Sequence, residues 1–180
     1  MENTRVRYYD DFSYPSPSEP PFPRESASVP EALGEAVIWF EELDEQLSTA
    51  ISFLLRRGET IGQIVTAELS FKGKVNLLSA LFKREVPQSK YFPQLEELAG
   101  ACFQVEQKRN QVMHSKWRND LDGSGMKRIK YSARGKTGLQ RQSETLTPAQ
   151  VQAIAHHCSY LAHSVDELMY LEFGREYGEP

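Results

Sequence analysis

The chain has 180 residues, 39% of them apolar and 26% charged, with a formal net charge of −4. That length suits one domain with a sizeable core plus a tail, rather than two domains. There is no run of 18 apolar residues to form a transmembrane helix, and the opening MENTRVRYYDDF carries acids and no apolar centre, which argues against a secretory signal. Cys102 and Cys158 are the only cysteines and fall within helical patterns rather than a disulfide framework, as expected of a protein in the reducing cytoplasm.

Residues 1–30 hold six of the ten prolines, interleaved with serines and acids, and read as a disordered or polyproline-like tail. Its aromatic residues, Tyr8, Tyr9, Phe12, Tyr14 and Phe22, leave two readings open: a solvated tail, or a segment that docks a protein partner. From Glu31 to Arg57, Leu33, Val37, Phe40, Leu47, Ile51 and Leu54 recur at near-heptad spacing, predicting a long helix closed by Gly58 in a left-handed cap. A second helix, Thr60 to Glu85, is expected to return antiparallel beside it, with Thr60 as its N-cap. Its apolar pattern, Ile61, Ile64 and Val65 and then Phe71, Val75, Leu78 and Leu81, slips near Ser70 and Gly73. A bend or two consecutive helices are expected there, with Glu68, Ser70 and Lys74 at a surface kink or beside a cleft.

After a proline-containing loop, Pro93 to Trp117 reads as one helix whose stripe is Leu95, Leu98, Cys102, Val105 and Val112. Arg109 lies on that stripe. A guanidinium in line with buried valines must be paired or must line a wet cleft, because an unpaired buried charge is costly. Asn110 and His114 share the neighbouring face, and Arg109 and His114, five residues apart, diverge by about 140° around the axis.

Residues 118–146 change in character. Met126 to Ala133 and Leu139 to Leu146 flank the glycine-rich Arg134 to Gly138, the pattern of a β-hairpin or a mobile loop. Between Lys116 and Arg141 there are eight basic residues against two acids, so this stretch carries +6 and the rest of the chain −10. Lys116, Arg118, Lys127, Arg128, Lys130, Arg134 and Lys136, with Tyr131 among them, form a candidate RNA-binding arm. The bland alternative is a solvated hairpin whose lysines protect an exposed edge. Thr147 caps a last helix running to Phe173, with Pro148 in its first turn and Val151, Ile154, Leu161, Val165 and Leu168 on its apolar face. His156, Tyr160 and His163 share a stripe there, next to His157 and Cys158, and read as helix-surface histidines rather than metal ligands. Residues 174–180 are expected to fray.

The run Arg109-Asn110-Gln111-Val112-Met113-His114, late in a long helix with amphipathic helices on either side, resembles the R-polar-x3-H signature of HEPN domains. The resemblance spans roughly Glu31 to Phe173 and is loose outside the motif. It implies an all-α, up-down bundle of four to five helices with the basic hairpin inserted before the last, and a homodimer in which two motifs face each other. It also implies a metal-independent endoribonuclease that needs no cofactor, with Arg109, Asn110 and His114 as catalytic residues and a 2′,3′-cyclic phosphate product. The biological setting implied is a bacterial toxin or phage-defence effector restrained by an antitoxin, such as a small nucleotidyltransferase. Many HEPN domains lack catalysis, so a noncatalytic dimerisation, RNA-binding or adaptor module is the alternative.

Overall fold

The computed structural model describes residues 26–119, 125–134 and 138–178. Among these, six helices and three strands follow in the order α1 (Val29–Leu55), α2 (Glu59–Ala67), α3 (Phe71–Glu85), α4 (Phe92–Met113), β1 (Lys116–Asn119), β2 (Met126–Arg134), β3 (Gly138–Leu146), α5 (Pro148–Phe173) and α6 (Arg175–Gly178). The proline-rich residues 1–25, Asp120, Asp122 and the hairpin turn at 135–137 lie outside the described residues.

Both long outer helices start on reciprocal caps. The Ser28 hydroxyl accepts the Glu31 N–H at 3.3 Å while the Glu31 carboxylate accepts the Ala27 N–H at 2.8 Å. Thr147 and Gln150 repeat the device at the start of α5, satisfying amide donors that the first turn leaves free. Side-chain contacts fix the helix directions. Ser26 N–H donates to Gln152 at one end of the α1/α5 pair and Phe53 packs edge-on to Phe173 at the other, so α1 and α5 run parallel. Phe71 lies against Phe40, Lys74 pairs with Asp44, and Arg56 meets Glu85, so α3 also runs parallel to α1. The short α2 makes the return. A Cβ on its Gly62 would stand 1.9 Å from the Ser52 hydroxyl, so only glycine lets α2 lie this close to α1. Helix α4 descends against α3, with Lys83 on Glu96 and Phe82 edge-on to Phe92. The helical bundle with a hairpin before its last long helix is therefore as expected, but of the predicted second helix only the α2 part runs antiparallel to α1, since α3 has turned back to run parallel.

One core joins α1, α3, α4 and α5, and its fully buried side chains include Leu43, Leu47, Ile51, Phe82, Leu95, Val105, Leu161, Val165 and Met169. A smaller cluster of Val29, Ala32 and Val151 is backed by Trp117, Met126 and Leu146 and joins the sheet to the start of α1 and α5. The buried line of α1 runs through Ala32, Ala36, Phe40, Leu43 and Leu47, which leaves Val37, a member of the predicted stripe, 37% exposed. The Ile61, Ile64 and Val65 patch of α2 also faces solvent.

Several expected boundaries move. Arg56, not Gly58, closes α1 in the left-handed region, and Gly58, with φ 80, is the N-cap of α2, so Thr60 lies inside the first turn. The three-residue link needs positive φ at both Arg56 and Gly58 to reverse direction. The slip near Ser70 is a true break: the Ser70 hydroxyl caps α3 by accepting the Gly73 N–H at 3.2 Å. Lys74 is not at the surface but 7% exposed, held by Asp44. Helix α4 ends at Met113, four residues before Trp117, because Lys116–Asn119 pairs with β2 as a third strand. Its last free carbonyls are taken by side chains from beyond the helix. Ser115 and Arg128 donate to the Gln111 oxygen, and Trp117 Nε1 donates to that of Val112 at 3.0 Å. The expected hairpin is present and gains this strand, giving a three-stranded antiparallel sheet in the order β1-β2-β3. At the C-terminus, residues 175–178 form a short helix whose Tyr177 ring stands edge-on to Phe53 at 5.2 Å, in place of a frayed tail.

Candidate functional site

Arg109 sits in the last-but-one turn of α4, beside the buried Val105 and Val112, and its side chain is 22% exposed. Its guanidinium lies over the Phe40 ring of α1, 4.6 Å from the centroid. Nη1 donates to Asn110 Oδ1 at 3.1 Å, Nη2 is 3.8 Å from Glu41 Oε1, and Nε is buried without a hydrogen-bond partner. Phe40 also packs on Phe71, so one aromatic ring supports the cation on one side and the α1/α3 contact on another. The partners that the sequence required for this cation are thus Glu41 and Asn110.

Asn110 therefore spends its side-chain oxygen on Arg109 rather than on His114. His114 caps the C-terminal end of α4, outside helical geometry at φ −97 and ψ 27, and its N–H donates to the Asn110 carbonyl at 3.1 Å. The residue is exposed. The helix end thus presents a solvated imidazole, while the arginine of the same motif is partly sunk against α1. Sequence reasoning found the motif but missed Phe40 and Glu41 as the groups that hold Arg109. Phe40 was legible as a core residue, yet that it carries a cation depends on how α1 crosses α4.

The basic residues divide between the two faces of the sheet. Residues paired across antiparallel strands point the same way. Lys116 opposite Ile129, Arg118 opposite Lys127, and Tyr131 opposite Arg141 place four cations and a tyrosine on one face. Arg128 and Lys130 lie on the other. Arg128 is not available to RNA as expected: its side chain is 12% exposed, donates to the Gln111 carbonyl at 3.0 Å and pairs with Glu144. Lys130 is exposed, Lys136 lies outside the described residues, and of Arg134 only the backbone is described.

On α5, His157 is held below its ordinary value, first by burial and then by nearby Lys108, so it stays neutral more readily than a free imidazole. Burial pushes the thiols of Cys102 and Cys158 up to about 12, making them packing groups rather than nucleophiles. Among the described residues, no group of three or more His, Cys, Asp or Glu is placed to hold a metal ion, and no helix is long and apolar enough to cross a membrane. No protein-family model, curated protein or solved structure matches the chain.

Proposed function

We propose that the chain is a metal-independent endoribonuclease of the HEPN type, acting as a homodimer through Arg109 and His114. The observation that carries this reading is the end of α4, where an exposed histidine follows by five residues an arginine braced by Phe40 and Asn110, with one buried N–H left unused. Cleavage without a metal needs a base for the ribose 2′-hydroxyl, an acid for the departing 5′-oxygen, and positive charge beside the phosphate. His114, exposed at the helix end, would serve as base, or as acid when it comes from the second subunit. Attack of the 2′-oxygen on phosphorus breaks the bond to the 5′-oxygen and leaves a 2′,3′-cyclic phosphate. Arg109 would neutralise the charge that builds on the non-bridging oxygens. A two-fold arrangement would bring two such motifs together and remove the difficulty that the two side chains leave one helix in different directions. The toxin or phage-defence setting, with a nucleotidyltransferase as restraining partner, belongs to the same proposal.

A second reading is favoured by the contacts of Arg109 within its own chain. Stacked on Phe40 and facing Glu41 and Asn110, it has the surroundings of a structural arginine, as in a noncatalytic dimerisation or adaptor module. Cleavage of a mixed RNA in EDTA separates the two. The ribonuclease reading expects wild-type cleavage and a loss of roughly a hundredfold or more in His114→Ala and Arg109→Ala, with both variants folded by circular dichroism. No cleavage by the wild type, or cleavage that persists in both variants, would leave the noncatalytic reading.

A further inference from the structure

From the register of the sheet we infer that one of its faces, carrying Lys116, Arg118, Lys127, Tyr131 and Arg141, is a binding platform for single-stranded RNA. The inference deepens the proposed function by naming its substrate class, and it rests on that reading for RNA as the ligand.

Three observations support it. The face is sorted by charge: four cations share it with no carboxylate, while the one acid of the three strands, Glu144, lies on the opposite face and is consumed by Arg128. Among the described residues, none of Lys116, Arg118, Lys127 or Arg141 makes an ion pair. Second, Arg118 stands directly across from Lys127. Like charges in that position destabilise a sheet, and an anionic strand laid between them removes the repulsion. Third, Tyr131 is 47% exposed at the middle of this basic field, with Lys116 Nζ 5.6 Å from its ring and Arg141 as its cross-strand neighbour. An exposed ring among cations offers a base-stacking surface, which a duplex with its bases already stacked cannot use. The platform is also continuous with the motif, because β1 begins at Lys116, two residues after His114, so a strand bound on the sheet passes the end of α4.

Binding is measured on the full chain carrying His114→Ala, so that cleavage does not intervene, by the anisotropy of a fluorescein-labelled 12-nucleotide RNA across a salt series. Tyr131→Ala should weaken binding about tenfold and Tyr131→Phe should restore it, since stacking needs the ring and not the hydroxyl. The pair Arg118→Gln and Lys127→Gln should lower the log-log salt slope by roughly 0.7 for each charge removed. Lys130→Gln, on the other face, should change binding less than these. A duplex of equal length should bind more weakly than the single strand. The inference is overturned if the wild-type face shows no saturable binding, if Lys130→Gln matches the face variants, if duplex and single strand bind alike, or if phosphatidylserine vesicles compete the RNA away. Its failure is separable from that of the ribonuclease reading. Cleavage in EDTA with binding indifferent to the face sinks only the platform; face-dependent binding without any cleavage sinks only the enzyme.

Discussion

Arg128, in the central strand of the sheet, donates through Nη1 to the main-chain carbonyl of Gln111 at 3.0 Å, in the last turn of α4. A cation at a helix C-terminus satisfies an open carbonyl and complements the helix dipole. Since the same guanidinium meets Glu144, removing it takes the ion-pair partner from a carboxylate and leaves the Gln111 carbonyl with the Ser115 hydroxyl alone. Arg128→Ala is expected to cost about 2 kcal/mol in urea unfolding, while the salt slope of RNA binding stays at its wild-type value. A fall in salt slope with unchanged stability would return Arg128 to the nucleic-acid interface.

Lys74 and Asp44 tie α3 to α1, and Lys74 is 7% exposed. Asp44→Ala strands a buried ammonium, and a destabilisation of roughly 2 kcal/mol is expected, less than for a fully enclosed pair because Asp44 keeps some solvent. Combining it with Lys74→Met should recover most of the loss, since methionine fills the space without a charge. A double variant no better than the single one would show that the ammonium does more than pair with Asp44.

Glu167 on α5 is pushed from its ordinary 4.5 up to about 7, first by burial and then by Asp166. The folded state thus holds this proton more tightly than the unfolded chain does. Its stabilising contribution is fully present below pH 4.5 and lost as pH rises through about 7. Glu167→Gln should therefore melt higher than wild type at pH 8, the gap closing on acidification to pH 4.5. An unchanged gap across that window would mean that Glu167 does not titrate in it.

Cys102 and Cys158 face the core from α4 and α5, both fully buried, with thiols held up to about 12. The native protein should leave a disulfide reagent such as Ellman's unreacted at pH 8 over minutes, and both thiols should titrate once guanidinium is added. Rapid reaction of the native chain would show that α4 and α5 separate readily.

The helices were legible because their buried faces repeat every three to four residues, and the reciprocal cap at Thr147 and the break at Ser70 were marked by the residue types that cap helices. The true end of α4 was not. Residues 114–117 carry no glycine or proline, and what stops the helix is pairing of Lys116–Asn119 with a strand that begins at Met126. The direction of α3 was hidden for a related reason: the chain reverses twice between Leu55 and Phe71, and only the packing of Gly62 on Ser52 shows the first reversal. At the candidate site, the pattern around Arg109 signalled a cation that needed support, but Phe40 and Glu41 lie some seventy residues earlier in the chain. Arg128 illustrates the converse. Composition placed it with seven other basic residues, and only the alternation of the strand reveals that it points inward.

The parallel pairing of α1 and α5 also sets a timetable. Ser26 and Gln152 are 126 residues apart, and α1 makes its most extensive contacts with α5. During synthesis, at about 5–20 residues per second, α1 emerges with its core face complete but without the helix that covers most of it. For several seconds that face has only α2, α3 and α4 to shield it. Contacts this distant in sequence also slow refolding of the finished chain. The interval before α5 arrives is when a chaperone, or another nascent copy, has its best access to the α1 face.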